Sequence, residues 1–253
     1  MYELFMYLSK YKIFYDLHGY VVIKNLVNDN VLKKILEEVE FIQEKVKNLK
    51  NKKYFHKTSN NKFNSIHNIQ EFIKSGNIIN LTKNKKLKKI VNMLLKNKPK
   101  LRNIEFFLKP AKTGMAAPFH QDNFYWNIIN SEALNVWIAC SDANKNNGGV
   151  CYLDKSHELG TIKHHSSFAK GTSQKIPDEL LKSLSFKRVY PNLKKGDCVI
   201  HHPEIIHGSN LNKSSKHRIG LAISYASFDA KIDKIRFAQY KNLLKKSLNF
   251  IYK

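Results

Sequence analysis

The apolar residues divide the chain into a helical part followed by a β-rich part. In VLKKILEEVEFIQEKVKNLK, residues 31–50, they recur at intervals of three and four, the period of one face of an amphipathic helix. The NDN segment at residues 28–30 offers side chains that can cap its N-terminus. The spacing predicts a second helix over KKLKKIVNMLLK, residues 85–96, ended by Pro99. Before the first helix, HGYVVIKNLVNDN predicts a short strand and a polar turn.

From residue 101 onward, short runs rich in β-branched and aromatic residues alternate with turn-forming residues. The runs are IEFFLK, LNVWIAC, VCYL, FKRVY, DCVIHH and RIGLAISYASF, with turns such as NKNNGG and NLKKGD between them. Short strands of this kind predict a β-sandwich or jelly roll, here preceded by helices. Residues 164–185 show no clear period and are long for a plain connection, which is typical of a lid or a substrate loop.

The chain has 253 residues, a length that barrel-like β folds often use as one domain. No internal repeat and no linker rich in proline or serine marks a boundary. We therefore predict a single domain over residues 1–253. It comprises a mostly helical part over 1–100, a β core over 101–230 and a C-terminal helical segment over 231–253.

Composition limits the location of the protein. No window approaches the roughly 20 consecutive apolar residues that a membrane helix requires. The N-terminus has no basic region followed by a clean apolar run, so we predict no secretory signal and expect a cytoplasmic protein. Cys140, Cys151 and Cys198 show no CxxC spacing, and their odd number argues against a disulfide framework. We expect them to be buried thiols.

The formal net charge of +24 suggests attraction to nucleic acid, a membrane surface or an anionic substrate. Of the 44 basic residues, however, 40 are lysine, whereas recognition of phosphates and base edges favours arginine. The excess of lysine, asparagine and isoleucine is also typical of compositional bias. No helix-turn-helix, zinc finger or RNP-type motif is present. A nucleic-acid-binding protein therefore stays a rival hypothesis, and the charge favours an anionic small molecule as substrate.

The stretch HQDNFYW admits two interpretations, a polar strand end or a pair of metal ligands. On an extended strand, residues i and i+2 point to the same side, so His120 and Asp122 could reach one ion. His207, in HHPEIIHGSN, is the best candidate for a distant third ligand, and Arg218 follows eleven residues later. Two histidines and one carboxylate leave open positions on Fe(II) for an organic cosubstrate and O2. The rings of residues 124–126 are more typical of a core, although one could border the site.

Four other histidines are alternative candidates for a role at the site. His202 is a minor candidate for the third ligand. His201 shares a face with His207 only if the strand stays regular through Pro203, which we do not expect. His164 and His165 open the aperiodic segment, where they could contact a substrate or have no functional role.

In combination, these motifs resemble the phytanoyl-CoA dioxygenase family of Fe(II)/2-oxoglutarate oxygenases. The resemblance covers nearly the whole chain, from GYVVIKNLVNDNVLKKILEEVE through FFLKP and HQDNFYW to LKKGDCVIHHPEIIHGSNLNKSSKHRIGLAISY. The chain has DKSH where the family usually has PGSH, a departure that concerns a turn. The resemblance implies a mainly β fold with flanking helices, a cupin-like double-stranded β-helix (jelly roll). It also implies that His120, Asp122 and His207 hold Fe(II), with 2-oxoglutarate and O2 as cosubstrates.

The same resemblance implies that Arg218 binds the distal carboxylate of 2-oxoglutarate through a bidentate pair, assisted by Ser209. Trp137 and Lys109 match positions that often line the cosubstrate pocket. A core indole and a solvated amine are the alternatives for these two residues. Halogenating relatives have a small residue in place of the carboxylate. The presence of Asp122 therefore predicts hydroxylation of an unactivated C–H bond in a small molecule, with release of succinate and CO2. A jelly roll that holds metal without turnover is the further rival.

Overall fold

The structure is a computed structural model that describes residues 2–48, 54–95, 97–169 and 171–251. Within these ranges the helices are α1 (Tyr2–His18), α2 (Asp29–Lys47), α3 (Ile69–Phe72), α4 (Asn77–Thr82), α5 (Lys85–Leu95), α6 (Asp122–Trp126), α7 (Asp178–Ser183) and α8 (Lys234–Ile251). The strands are β1 (Tyr20–Ile23), β2 (Phe55–Lys57), β3 (Phe63–Ile66), β4 (Pro99–Lys109), β5 (Ala117–His120), β6 (Ala133–Ala139), β7 (Val150–Leu153), β8 (His165–Ala169), β9 (Thr172–Lys175), β10 (Arg188–Val189), β11 (Cys198–His201), β12 (His207–Ser209) and β13 (Arg218–Ser227).

Two antiparallel sheets form the centre of the fold. The major sheet has the strand order β1-β11-β6-β13-β4-β3-β2, and the minor sheet has the order β10-β7-β12-β5. This arrangement confirms the predicted mainly β fold with flanking helices. Strands β1, β2 and β3 extend the major sheet at its two ends, so the N-terminal part contributes to both edges of the β core. The predicted division into three parts of one domain stays a prediction.

Helix α2 forms where the apolar period predicted it. The Asn28 side chain accepts a hydrogen bond from the Val31 amide at 2.9 Å, so the helix begins at Asp29, slightly before the predicted start. The residues that it buries are Leu32, Ile35, Val39, Ile42 and Val46. Helix α5 buries Leu87, Ile90, Val91 and Leu94 in the same way. The last predicted residues of the two helices, 49–50 and 96, lie outside the described residues.

The major sheet has two different faces because side chains alternate along each strand. On β6, Leu134, Val136 and Ile138 are buried in one apolar core with the inner faces of α2 and α5. Asn135 and Trp137, the residues between them, line a cavity between the two sheets. This alternation places the polar side chains of the major sheet opposite the minor sheet.

Two segments differ from their predictions. Residues 164–185 contain a hairpin, β8 with β9, followed by α7, rather than a segment without secondary structure. The strand run TSQK is polar on both faces, so its sequence carries no apolar period. The lid role predicted for this segment stays a prediction. In HQDNFYW the strand ends at His120 and α6 begins at Asp122, so the aromatic residues are helical and not on a strand.

Cys140, Cys151 and Cys198 are buried free thiols, as predicted. Across the described part of the chain, no helix has the length and apolarity needed to cross a membrane.

Candidate metal centre and cosubstrate pocket

His120, Asp122 and His207 form a cluster in which one ligand atom of each residue lies within 4.8 Å of the others. His120 ends β5 and His207 begins β12, and the two are paired across the minor sheet. Their Nε2 atoms lie 3.9 Å and 3.7 Å from Oδ1 of Asp122. An ion held at roughly 2.0–2.2 Å from three ligands requires separations of about 3–4 Å between the ligand atoms. The cluster therefore has the chemistry and spacing of a metal site.

Hydrogen bonds orient both imidazole rings toward Asp122. His120 Nδ1 donates to the carbonyl of Pro118 at 2.7 Å, and His207 Nδ1 donates to the carbonyl of Ile205 at 3.1 Å. These bonds place the proton on Nδ1, so the Nε2 lone pair of each ring is available to a metal.

A second set of contacts orients the carboxylate. Oδ2 of Asp122 accepts hydrogen bonds from Asn135 Nδ2 and His201 Nε2, each at 3.1 Å. The Tyr152 hydroxyl donates to His201 Nδ1 at 2.9 Å, which fixes the ring tautomer. Asn135 and His201 are direct cross-strand partners of β6 and β11. With Oδ2 held in this way, Oδ1 is directed to the histidines.

The protonation states also suit a metal. Burial lowers the pKa of His120 to about 4, and the nearby His207 adds to this shift. Burial likewise lowers the pKa of His207 to about 4. Burial alone would raise the pKa of Asp122, but His207, the hydrogen bond from His201 and the remaining histidine charges hold it below its usual range. At neutral pH the cluster therefore offers two neutral imidazoles and one carboxylate.

Two buried basic residues lie beside this cluster. Arg218 begins β13 and Lys109 ends β4, and they are direct cross-strand partners with 2% and 3% of their surface exposed. Arg218 Nη1 donates to the carbonyl of Phe107 at 3.2 Å, while its buried Nε has no partner within the described ranges. Lys109 Nζ donates to Ser209 Oγ at 2.6 Å and to the carbonyl of Asn210 at 2.5 Å.

The electrostatics of these two residues favour an anion between them. Burial lowers the pKa of Arg218 to about 9. Burial, and then the charge of Arg218, lower the pKa of Lys109 to about 6. Among the described residues, their hydrogen-bond acceptors are carbonyl and hydroxyl oxygens and no carboxylate. A ligand carboxylate would supply the negative charge that favours both cations.

Trp137 on β6 of the major sheet is part of the cavity wall. The Arg218 guanidinium lies over its ring at 5.4 Å. The ring packs so closely on Gly220 that a Cβ atom there would lie 2.0 Å from Cζ2 of the indole. Glycine is therefore required at position 220, and Trp137 combines the predicted core role with a place in the cavity wall.

The cluster and the cations line one cavity of about 850 Å³. The opposite wall comes from the β8–β9 hairpin and from α8, whose Phe237, Tyr240 and Leu244 face the cavity. One of the three rings at residues 124–126 was expected to border the site, and two of them, Tyr125 and Trp126, line the cavity. The ring centroid of Tyr125 lies 5.8 Å from that of His120. A small organic molecule would fit next to the cluster in a space of this size.

His201 was wrongly placed by the sequence prediction. We did not expect it to lie beside His207, yet the two ring centroids are 4.7 Å apart. Between His201 and His207 the chain passes from β11 in the major sheet to β12 in the minor sheet, so the two rings lie close together between the sheets. A strand-period reading of β11, with Val199 and His201 on one face, would have found this orientation.

The structure places the other candidate histidines outside the metal cluster. His202 packs beside His157, with ring centroids 5.3 Å apart, rather than toward the cluster. His164 is buried, accepts a hydrogen bond from the Gln121 amide at 3.0 Å and stacks on Phe124 at 4.1 Å. His165 is exposed on β8.

Sequence comparison finds relatives over most of the chain. The sequence model of the family described as Phytanoyl-CoA dioxygenase (PhyH) matches residues 15–220. The peroxisomal phytanoyl-CoA dioxygenase of Rattus norvegicus is 24% identical over 262 residues, which cover 95% of this chain and 74% of that protein. The L-proline trans-4-hydroxylase of Streptomyces griseoviridis is 30% identical over 138 residues, which cover 47% of this chain and 51% of that protein.

Solved structures with the same fold include EctD from S. alaskensis with 2-oxoglutarate and 5-hydroxyectoine. It has a TM-score of 0.74 and 18% identity, covering 90% of this chain and 79% of that one. The epimerase SnoN in complex with Fe3+, alpha ketoglutarate and nogalamycin RO has a TM-score of 0.72 and 18% identity, covering 93% and 89% of the two chains. At these identities the likeness establishes the jelly-roll fold.

Proposed function

Because the chain belongs to the phytanoyl-CoA dioxygenase family of Fe(II)/2-oxoglutarate-dependent oxygenases, we propose that it hydroxylates an unactivated C–H bond of a small molecule, releasing succinate and CO2. The observation that carries the proposal is the position of the His120, Asp122 and His207 cluster beside Arg218 and Lys109 in one cavity. A non-catalytic jelly roll would have no need of both an open cluster of metal ligands and two buried cations beside it.

His120, Asp122 and His207 would hold Fe(II), and their donor set fits that ion because two imidazoles and one carboxylate leave positions open. Fe(II) together with 2-oxoglutarate and O2 supplies the oxidising power for removing hydrogen from a C–H bond. The protein keeps the three ligand atoms in place through the hydrogen bonds to Nδ1 of each histidine and to Oδ2 of Asp122.

Arg218 and Lys109 would bind the distal carboxylate of 2-oxoglutarate. The unpartnered Nε of Arg218 and the Lys109 amine supply donors, and the Ser209 hydroxyl, already in contact with Lys109, is the third group at this end. Trp137 would form the wall along which the cosubstrate extends toward the metal. Desolvation strengthens these charge-assisted bonds, because water no longer competes for the donors.

Two observations support hydroxylation as the outcome. The carboxylate of Asp122 is present, whereas halogenating relatives have a small residue at this position. The Streptomyces griseoviridis relative is itself named as a hydroxylase.

The cavity is large enough for a small-molecule substrate beside the cosubstrate. A single-domain organisation and a cytoplasmic location remain our predictions from the sequence.

Anaerobic reconstitution with Fe(II) and 2-oxoglutarate tests the proposal, followed by the weak visible charge-transfer band between metal and cosubstrate. We expect the band in wild type, its loss in His207→Ala and its retention in His165→Ala, a matched control at an exposed histidine. Turnover under ¹⁸O₂ should then place labelled oxygen in the hydroxylated product. If wild type gives no band and calorimetry detects no binding of 2-oxoglutarate, the proposal is wrong.

A further inference from the structure

A pair of opposite charges lines the same cavity away from the cosubstrate cations. Both belong to β4, on which Ile104 and Phe106 face the apolar core while Glu105 and Phe107 face the cavity. These residues follow the normal alternation of a strand. Glu105 is therefore held by the rigid major sheet beside the metal cluster.

Arg102 reaches the cavity because the strand is irregular at this point. Ser224 of β13 pairs with Asn103, and the next residue pairs with Leu101, so Arg102 is the extra residue of a β-bulge. Bulges redirect side chains and are often found next to active sites. Here the bulge turns both Arg102 and Asn103 toward the cavity.

The Arg102 guanidinium lies against an aromatic ring and forms no ion pair with an acidic residue in the described part of the chain. It lies over Trp126 at 4.6 Å from the ring centroid. None of the ion pairs or hydrogen bonds found between described residues involves its nitrogen atoms. Burial lowers the pKa of Arg102, while the charges of Glu105 and Asp122 act to raise it, which places all three groups within electrostatic reach. A guanidinium fixed against a ring with open donors is suited to a carboxylate.

Glu105 has one oxygen occupied and one available. Oε1 lies 2.5 Å from His67 Nδ1, and the other ring nitrogen of His67 lies 2.8 Å from Ser65 Oγ. For Oε2, the described residues provide no hydrogen-bond partner. Glu105 and Arg102 do not form an ion pair with each other. The two charges therefore remain separate and face a common space.

The charge balance of the cavity indicates what this space would accept. Asp122 would offset one of the two positive charges of Fe(II), and the dianionic cosubstrate would offset Arg218 and Lys109. Arg102 and Glu105 remain, with opposite charges that sum to zero, and His67 beside Glu105 adds a positive charge only when it is protonated. The roof above them is aromatic and aliphatic, formed by Tyr240 and other residues of α8. A polyanion such as a CoA thioester would gain little from a region of zero net charge.

We propose that the substrate is a small zwitterion whose carboxylate binds Arg102 and whose protonated amine binds Glu105, as in a free amino acid. The inference rests on the proposed function and narrows its substrate from an anion to a zwitterion. Bidentate pairing with Arg102 and a charge-assisted bond to Glu105 would fix both ends of the molecule. The carbon atoms between or beside these ends would then face the metal cluster, since Asp122 and His120 lie within electrostatic reach of the two charges.

The test uses the anaerobic protein loaded with Fe(II) and 2-oxoglutarate, because a substrate that binds beside the metal shifts the charge-transfer band. Wild type is titrated with the standard L-amino acids and small cyclic amino acids, with their carboxamide and N-acetyl derivatives, and with acetyl-CoA. We expect a free amino acid to shift the band, and its two derivatives to bind roughly 10- to 100-fold more weakly. Arg102→Gln should remove the preference for the acid over the amide. Glu105→Gln should remove the preference for the amine over the N-acetyl form.

Arg188→Gln is the matched control, because Arg188 also lies over an aromatic ring, Phe119 at 5.3 Å, but is exposed on β10. It should bind all probes as wild type does. The band before titration shows that each variant is folded and that the proposed function stands. Tighter binding of acetyl-CoA or of N-acetyl derivatives, or no shift by any free amino acid at millimolar concentration in a protein with an intact band, would overturn the inference of a zwitterion. Absence of the band itself would count against the oxygenase proposal instead.

Discussion

The two faces of the major sheet carry opposite kinds of side chain on the same strands. One face buries Leu134, Val136, Ile138 and Ile223 among other aliphatic residues. The other face presents Asn135, whose strand neighbours are all apolar, to the cavity. A shift of one residue along the strand therefore separates groups that stabilise the fold from groups suited to chemistry.

The two faces also differ in whether their side chains have favourable partners within the protein. Aliphatic side chains on the core face are surrounded by apolar contacts, which stabilise the folded state. On the cavity face, Arg218 is buried with an unpartnered Nε, and a buried cation without an anion costs free energy. The cavity face is therefore less stable by itself and should gain stability from an anionic ligand, since binding to the folded state alone stabilises it.

Replacement of the buried arginine gives the largest expected effect. Arg218→Ala should weaken the binding of 2-oxoglutarate by roughly 30- to several thousand-fold, the range for removing one partner of a buried charged pair. Arg218→Lys should recover only part of this loss, because lysine lacks the bidentate fork. Calorimetry on the metal-loaded protein measures both affinities. Arg188→Ala is the control at an exposed arginine, and an unchanged affinity in Arg218→Ala would place the cosubstrate elsewhere.

Truncation of a side chain on the opposite face of the same strand should lower stability and leave the affinity for 2-oxoglutarate unchanged. Ile223 is fully buried in the core, and Ile223→Ala should lower the free energy of unfolding by about 2–5 kcal/mol. The affinity of the folded protein for 2-oxoglutarate should stay close to wild type. Urea unfolding and calorimetry on one preparation measure the two quantities. Loss of affinity in proportion to the loss of stability would show that the faces are not separable.

The core face was more accessible to sequence reasoning than the cavity face. Apolar periods located α2, α5 and the main strands, because burial of a whole face imposes a repeat on the sequence. The motifs indicated that His120, Asp122 and His207 form one cluster, and in the structure these three residues lie together. Their roles as ligands stay a prediction, but the proximity that the motif implied is present.

The remaining site residues could not be located in this way. His201 reaches Asp122 because the chain changes sheets after it, and Arg102 reaches the cavity through a bulge. Both depend on strand pairing between segments that are distant in sequence, which no local pattern records. In place of the expected strand, the backbone stays extended only as far as Gln121, and α6 begins at Asp122. Sequence reasoning was thus most informative where one residue type repeats and least where tertiary contacts redirect a single side chain.

Removal of the groups that orient Asp122 should have a moderate effect. His201→Ala and Asn135→Ala should each lower the affinity for Fe(II) by roughly 10- to 100-fold, as for other partners of metal ligands. Affinity for 2-oxoglutarate at saturating metal should change little, because Arg218 is unaltered. Metal titration followed by competition with a chelator measures the effect. His202→Ala is the neighbouring control, and equal losses in both histidine variants would indicate general disruption of β11.

The smallest expected effect is the uptake of a single proton by Lys109 when 2-oxoglutarate binds. In the cosubstrate-free protein, burial and the charge of Arg218 lower the pKa of Lys109 to about 6, so the amine is mainly neutral above that pH. A dianion favours the charged amine, so binding of 2-oxoglutarate should take up a proton and weaken as pH rises, by at most about tenfold per pH unit. The unfolded chain binds this proton up to the usual pKa of 10.5, so the cosubstrate-free protein should become more stable as pH rises between those values.

Calorimetry with saturating metal in two buffers of different ionisation enthalpy counts the protons taken up when 2-oxoglutarate binds. The groups that face the amine are Arg218, the Ser209 hydroxyl and the Asn210 carbonyl, and from about pH 6 up to the Arg218 pKa of about 9 only Lys109 among them changes charge. Lys109→Met should therefore abolish the uptake, and an unchanged proton count in that variant would assign the titration to another group and leave Lys109 as a structural amine.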